Sequence, residues 1–490
     1  MPLVPSRPSR FDPPAQAIRD TLIQQSLPSL AVAAAQHGEL LWEEGFGWAD
    51  REAMIPATPH SMYSLASISK PVTATALMVL QERGVVDLDR PINEYLGDAP
   101  VHARVGDAAD ATVRRIASHT AGLALHYHFF YEDEPYRRPP MEETIRRYGN
   151  LVTVPGERYR YSNLGYGILD HVISRLSGQS YADFLREEVF LPLGMTHSSL
   201  GIGPGLEAFE AKRYGEDDLA YPRYDFDHPG GSAVYASAHD LVRFGMFHLS
   251  AHLPDQRQIL SDASIQSMQQ PVVGENDEYG LGWGITADEF GYRTVHHTGG
   301  MGGVGTVLYL LPSEGIAIAV LCNSSKNTAK ALGRTLGDIF SVLLPPFGER
   351  WMERRTQRES GAAEAELKPP FQPPSALLGE WRGMVHTYSE QRPFTLLFKE
   401  SGDVHARLGD DLTMLVNDVS LQDGWLTGVM AGDIGTPDAS RRQHNLHLDL
   451  RLRGEVVNGA LVAITSDHQD GGAPGKHVGD ALASWVELHR

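Results

Sequence analysis

Four prolines fall within seven residues in the run Lys368-Pro369-Pro370-Phe371-Gln372-Pro373-Pro374, and they divide this chain. Proline has no backbone N–H and pushes the residue before it into an extended conformation, so neither a helix nor a central strand passes through such a run. A chain of 490 residues is also too long for one ordinary core. From 345 to 375 the composition is rich in Pro, Ala, Glu and Arg, which reads as a stiff connector. The expected organisation is therefore a first domain over 1–345, a linker over 346–374 and a second domain over 375–490.

In the first part, a helical opening (14–25) leads to two runs, 30–35 and 40–47, split by Gln36-His37-Gly38 and read as a β-hairpin. A strand-like stretch (61–65) gives way to an amphipathic helix with Pro71 just inside it and Gly84 at its end. A second helix (165–176) ends at Gly178. Strands return at 306–311 and 316–322 around the turn Pro312-Ser313-Glu314-Gly315. Strands at both ends with helices between predict an α+β fold whose ends meet in one antiparallel sheet. Past the prolines, turn signals recur at Ser401-Gly402-Asp403, Gly409-Asp410-Asp411, Asp423-Gly424 and Asn458-Gly459. One strand puts Leu446, Leu448, Leu450 and Leu452 on one face and His447, Asp449 and Arg451 on the other, which predicts an all-β barrel or sandwich.

The net charge of −20 repels polyanions, and the Arg-rich run 349–358 is mixed in sign, so a nucleic-acid partner is not expected. The lone cysteine, Cys322, sits in an apolar run and can form neither an internal disulfide nor a cysteine metal cluster. Residues 1–16 lack the apolar region of a secretory signal, and no later stretch approaches a membrane span; the expectation is a cytoplasmic protein.

Chemistry enters with Ser67-Ile68-Ser69-Lys70. Residues three apart share a helix face, so the Ser67 hydroxyl and the Lys70 amine come within reach of each other. An amine whose pKa is lowered by burial or neighbouring charge can take the hydroxyl proton. A Ser at a helix start also offers its N–H to an oxyanion hole. Taken alone, the tetrad also reads as an N-cap serine followed by a solvated lysine. Downstream, Tyr161-Ser162-Asn163 puts a phenol and an amide two residues apart: the phenol can act as base and then acid, and the amide can hold Lys70 or a substrate carbonyl. A third element, His297-Thr298-Gly299-Gly300, lies at a strand edge where glycines let a substrate backbone approach closely.

Ser-x-x-Lys, Tyr-x-Asn and His-Thr-Gly in this order resemble the penicillin-recognising serine hydrolases, and more narrowly the class C β-lactamase-like branch with its peptidases and esterases. His119-Thr120-Ala121-Gly122-Leu123, Pro155-Gly156-Glu157, Pro192-Leu193-Gly194-Met195-Thr196, Gly280-Leu281-Gly282-Trp283-Gly284 and Asn323 add to the resemblance, which covers about residues 30–343. It implies a sheet flanked by helices with an all-helical subdomain. It further implies that Ser67 attacks a carbonyl to form an acyl-enzyme, with Lys70 and Tyr161 sharing the proton. The N–H groups of Ser67 and Gly300 would hold the oxyanion, and Asn163, His297, Thr298 and Gly299 would contact substrate. No metal or organic cofactor is required. Where β-lactamases of the wider family usually carry Lys, this chain has His297, a group only partly charged near neutrality, so carboxylate-bearing penicillins become less certain substrates.

The aromatic run His126-Tyr127-His128-Phe129-Phe130-Tyr131 reads either as a lid or wall of an apolar pocket, or as a patch covering core or an oligomer contact. His126-x-His128 would suit a metal, but no third ligand is placed beside the pair. Gly300-Met301-Gly302-Gly303-Val304-Gly305 spells a dinucleotide fingerprint, yet an apolar strand follows it where a helix is needed. In the doublet His296-His297, only one side chain can face the site. The second domain opens with Leu378-Gly379-Glu380-Trp381-Arg382-Gly383, and its Gly-x-Trp resembles lipocalins. The reading is thus a serine hydrolase, a peptidase or amidase on small peptides including ones with D-amino acids, able to form a homo-oligomer. Its rivals are a carboxylesterase using the same residues and an inactive ligand-binding protein.

Overall fold

The computed structural model describes residues 9–272, 279–326, 328–361, 370–465 and 479–490. Part of the expected connector (362–369) and the first eight residues of the stretch read for export lie outside them. The chain gathers into two compact units, one of residues 1–86, 177–221 and 230–365 and the other of 87–176, 222–229 and 366–490.

The first unit is built on a seven-stranded antiparallel sheet in which its early strands (residues 29–56) meet its late ones (residues 284–322). Strand Ser29–Gln36 pairs on one side with Glu39–Asp50, the expected hairpin, and on the other with Ile316–Cys322, which pairs onward with Val304–Leu311 and Tyr292–Met301. Strands 29–36 and 316–322 are covered on both faces, so they read as unbroken apolar runs rather than alternating ones. On one face Leu30, Val32, Ile318 and Val320 pack with Ile18, Leu336 and Phe340 of helices Asp12–Gln25 and Thr328–Leu343. On the other, small residues admit helix Ala238–His248 so closely that a Cβ on Gly245 would meet Leu310 at 3.0 Å and Ala317 at 3.2 Å. Of the dinucleotide-like glycines, Gly302 and Gly303 form the turn of the hairpin between strands Tyr292–Met301 and Val304–Leu311, with Gly303 at φ +71°, and Gly300 and Gly305 are paired within the strands.

The second unit joins helices Val113–Ala117, Met141–Tyr148 and Asn163–Ser177 to a nine-stranded antiparallel sheet. The two edge strands of that sheet, Met414–Leu415 and Asn417–Gln422, are separated in sequence by Val416 alone, which brings the edges round into a nearly closed, lipocalin-like barrel. Strand His444–Arg453 buries Leu446, Leu448 and Leu450 as its alternation predicts. The expected turn at Asn458-Gly459 is not one. Both residues lie within strand Val456–Thr465, where Gly459 is needed because a Cβ would meet Asp449 O at 2.3 Å; the reversal occurs at Gly454, with φ +62°. Ala460, Val462 and Trp485 on the barrel pack with Ala124 and Val152 of the helical part, and Tyr127 exchanges backbone hydrogen bonds with Ala481 (3.1 and 2.8 Å).

Among the described residues no helix is long and apolar enough to cross a membrane.

Candidate active site

Ser67 lies in a 3₁₀ turn, Ala66–Ile68, that runs directly into helix Ser69–Glu82. Ala66 takes the left-handed conformation, φ +47°, which costs a residue with a Cβ about 1 kcal/mol or more and persists only where neighbours hold it. Here Leu65 N donates to Val234 O (2.8 Å), Thr306 Oγ1 to Leu65 O (2.9 Å) and Val234 N to Ser69 Oγ (3.0 Å). Between residues 61 and 70 every side chain is buried except Ser67, which is half-buried.

Lys70 is fully buried, with Nζ 3.2 Å from Ser67 Oγ and 2.9 Å from Gly231 O. Burial holds its pKa well below the ordinary lysine value. A neutral amine donates to the carbonyl and still presents a lone pair to the hydroxyl, which is what a proton acceptor for Ser67 requires. The solvated-lysine alternative is therefore excluded.

His297 lies on strand Tyr292–Met301 and is buried, with Nδ1 2.7 Å from Thr298 O and Nε2 3.0 Å from the Tyr279 hydroxyl. A carbonyl can only accept, so Nδ1 carries the proton and Nε2 accepts from Tyr279. Burial above all lowers its pKa, to about 3. The expectation of a partly charged imidazole is corrected: His297 is neutral at physiological pH and offers no positive charge to a carboxylate. His296, on the opposite face, stacks on Tyr309 at 5.1 Å, as the alternation of a strand requires.

Gly299 brings this strand against the nucleophile turn, since a Cβ there would meet Leu65 O at 2.1 Å and Thr306 Oγ1 at 2.3 Å. At Gly300 a Cβ would meet open space, and both Gly300 and Thr298 are exposed. Gly282, at φ +80°, similarly lets its segment approach the helix, since a Cβ there would meet Lys70 O at 2.9 Å, while Trp283 is buried against Phe244 and His248. Asn323 is a structural knot: it accepts from Ser29 Oγ (2.8 Å) and donates to Lys212 O (2.9 Å).

Tyr161 and Asn163 belong to the second unit, Asn163 buried as the first residue of helix Asn163–Ser177 and Tyr161 half-buried just before it. His119, at φ +61°, braces them: its ring lies 4.4 Å from that of Tyr161, its Nδ1 accepts from Ser162 N (3.2 Å), and its carbonyl accepts from Arg160 N (2.7 Å). Gly156 N donates to Thr120 O (2.7 Å), and a Cβ on Gly122 would meet Thr153 O at 2.3 Å. Thus the His-Thr-Ala-Gly-Leu and Pro-Gly-Glu segments form the cradle of the Tyr-Ser-Asn turn. Barrel residues complete it: Asp449 ion-pairs with Arg160, and Arg451 and Arg453 with Glu157.

In the aromatic run, strand Phe129–Tyr131 pairs with Tyr224–Phe226 and is buried in the second unit, which is the core-covering role. His126 acquires neighbours that sequence reasoning lacked. Asp227 binds His126 Nε2 through one oxygen and His228 Nδ1 through the other, both at 2.7 Å, while His128 Nε2 meets Arg441 at 3.0 Å. Tyr279 was also missed, although it directly precedes the Gly-Leu-Gly-Trp-Gly segment that carries part of the resemblance.

Residues 14–339 match the family model described as Beta-lactamase. The chain belongs to the Beta-lactamase family. This family's members are serine hydrolases, and the resemblance drawn from Ser67, Tyr161 and His297 is to that extent confirmed. Among curated relatives, Penicillin-binding protein 4* of Bacillus subtilis is 27% identical over 64% of this chain and 72% of its own length. Unguisins hydrolase ungD' of Aspergillus campestris is 26% identical over 79% of this chain and 77% of its own. Of solved structures, the octameric penicillin-binding protein homologue from Pyrococcus abyssi shares the fold over 96% of this chain and 99% of its own, with a TM-score of 0.59 at 20% identity.

Proposed function

We propose that this member of the Beta-lactamase family is an amidase or peptidase acting on small peptides through an acyl-enzyme on Ser67. The observation that carries the proposal is the buried, pKa-lowered Lys70 amine 3.2 Å from the half-buried Ser67 hydroxyl. In this reading Tyr161 shares the proton with Lys70, Asn163 orients substrate, and the N–H groups of Ser67 and Gly300 stabilise the oxyanion. Thr298 and Gly299 form the strand edge along which the substrate backbone lies. A neutral His297 favours substrates without a carboxylate at that place, which suits internal or blocked peptides better than penicillins. A relative named as a hydrolase of unguisins, matched over most of both chains, supports hydrolysis beyond β-lactams. The octameric homologue supports a homo-oligomer, and a single buried cysteine suits a cytoplasmic setting.

A carboxylesterase would use the same nucleophile, so the test is a comparison of turnover. D- and L-aminoacyl p-nitroanilides and the corresponding p-nitrophenyl esters are assayed with wild-type protein and Ser67→Ala. The proposal expects anilide hydrolysis that Ser67→Ala abolishes, with the D/L ratio reporting stereochemical preference. Turnover confined to esters would replace it with the esterase reading.

A further inference from the structure

We propose that Glu43, His60 and His239, with His197 beside them, form a binding site for one divalent d-block cation of the zinc type. The site lies in the first unit, uses none of the residues assigned to the hydrolytic reaction, and goes beyond the function proposed above.

Four separate segments supply the side chains. Glu43 comes from strand Glu39–Asp50, His60 from the turn before Ser61, His197 from the residue before strand Ser198–Leu200, and His239 from the first turn of helix Ala238–His248. One ligand atom each from Glu43, His60 and His239 lies within 4.8 Å of the others. His239 Nδ1 and Glu43 Oε2 are 2.7 Å apart, and the His60 ring is 4.8 Å from that of His239 and 5.1 Å from that of His197. Zinc takes imidazole nitrogen and carboxylate oxygen at about 2.0–2.2 Å, which puts neighbouring ligand atoms roughly 3.3 Å apart in a tetrahedron. The ligand atoms of the existing cluster therefore already stand near the spacing of a coordination shell. Two imidazoles and a carboxylate are also the ligand chemistry that such ions favour.

The cluster has an unmet need. Nδ1 of His60 is buried with no hydrogen-bond partner among the described residues, a state that costs free energy unless something is bound. Supporting bonds fix the segments: His239 N donates to Pro59 O (3.2 Å), His60 N to Thr58 Oγ1 (3.2 Å), and His197 N to Asp240 Oδ2 (2.6 Å). These bonds hold the backbone of the three segments in place. The side chains of His239 and Glu43 are each about a quarter exposed, so an ion has a way in. The other histidine cluster, His126, Asp227 and His228, is fully buried, and each carboxylate oxygen of Asp227 already holds an imidazole.

A bound ion would tie the sheet to helix Ala238–His248 and to the turn that leads, seven residues on, to Ser67. Its role would be to stabilise the first unit, not to take part in the reaction.

The test is titration of chelator-treated full-length protein with zinc chloride by calorimetry, together with visible spectra of the cobalt form and melting curves with and without zinc. The proposal expects one saturable site and a raised melting temperature, because an ion that binds only the folded state stabilises it. Loss of a direct ligand should weaken binding by more than the roughly 10- to 100-fold typical of an outer-shell partner, so His60→Ala and His239→Ala should lose the site. Glu43→Gln, which keeps size and an acceptor, should also lose it with an unchanged circular dichroism spectrum, which separates metal loss from misfolding. Ser67→Ala and His126→Ala should bind as wild type does. Absence of saturable binding, or equal affinity in wild type, His60→Ala and Glu43→Gln, would overturn the proposal, as would loss of binding in His126→Ala alone.

Discussion

Arg160, buried one residue before Tyr161, is ion-paired with Asp449 on the barrel strand His444–Arg453. A barrel residue thus neutralises the buried cation next to the phenol assigned to proton transfer. Removing one partner of a buried pair typically costs about 3 kcal/mol or more, because the remaining charge is left uncompensated. Asp449→Ala should therefore lower the midpoint of urea unfolding and reduce turnover together, with partial recovery in Asp449→Asn. An unchanged midpoint would show that the pair does not support the Tyr161 turn.

Lys70 predicts the acid limb of the pH–rate profile. Its pKa is lowered by burial, so the amine is neutral and able to accept a proton at and above its lowered pKa, and it becomes charged as pH falls through that value. Acylation should fall correspondingly on the acid side. Lys70→Arg stays charged at every working pH and should lose about 10²–10⁴-fold in kcat/KM.

His297 predicts a specificity change. Because it is neutral at physiological pH, KM for a carboxylate-bearing substrate should show no histidine titration between pH 5 and 8. His297→Lys should shift preference toward such substrates, measured as the ratio of kcat/KM for a free acid and its methyl ester. A ratio that does not move would remove His297 from the substrate-binding set.

Three buried histidines, His128, His248 and His297, have pKa values lowered to about 3, with burial the largest cause in each. Between that value and the unfolded value of about 6.5, the unfolded chain binds protons that the folded chain refuses, so stability falls as pH falls, by up to about 1.4 kcal/mol per pH unit for each. Asp480, pushed up to about 6 by burial, opposes this between pH 6 and 4. Net loss should appear as a falling melting temperature below pH 6, with His248→Gln less acid-sensitive than wild type.

Gly299→Ala should be more damaging than its size suggests. The added methyl would sit 2.1 Å from Leu65 O, so the strand must retreat from the nucleophile turn. Overpacking of this kind costs about 1–3 kcal/mol, and activity should drop more than stability. Equal losses in both would argue that the strand's approach serves folding alone.

What the sequence revealed, and what it hid, follow from the range of each interaction. Ser67 and Lys70 are three residues apart, so helix geometry alone brings them together. The central strands of the first unit were legible because residues 30–35 and 316–322 are apolar runs bounded by turns, and the barrel because leucines alternate from 446 to 452. The Tyr279–His297 bond, the Asp227 bridge to His126 and the grouping of His60, His197 and His239 join positions 18 to 179 residues apart, with no local period to announce them. Asn458-Gly459 misled for a related reason: glycine marks close approach of a neighbouring strand as readily as it marks a turn.

The central claim is that Ser67 carries the acyl group. Wild-type protein quenched during exposure to a slowly released acylating substrate, or labelled with a fluorophosphonate, should gain one adduct by intact mass. Peptide mapping should place that adduct on Ser67, and Ser67→Ala should show neither adduct nor turnover. An adduct on another residue, or full turnover by Ser67→Ala, would contradict the account.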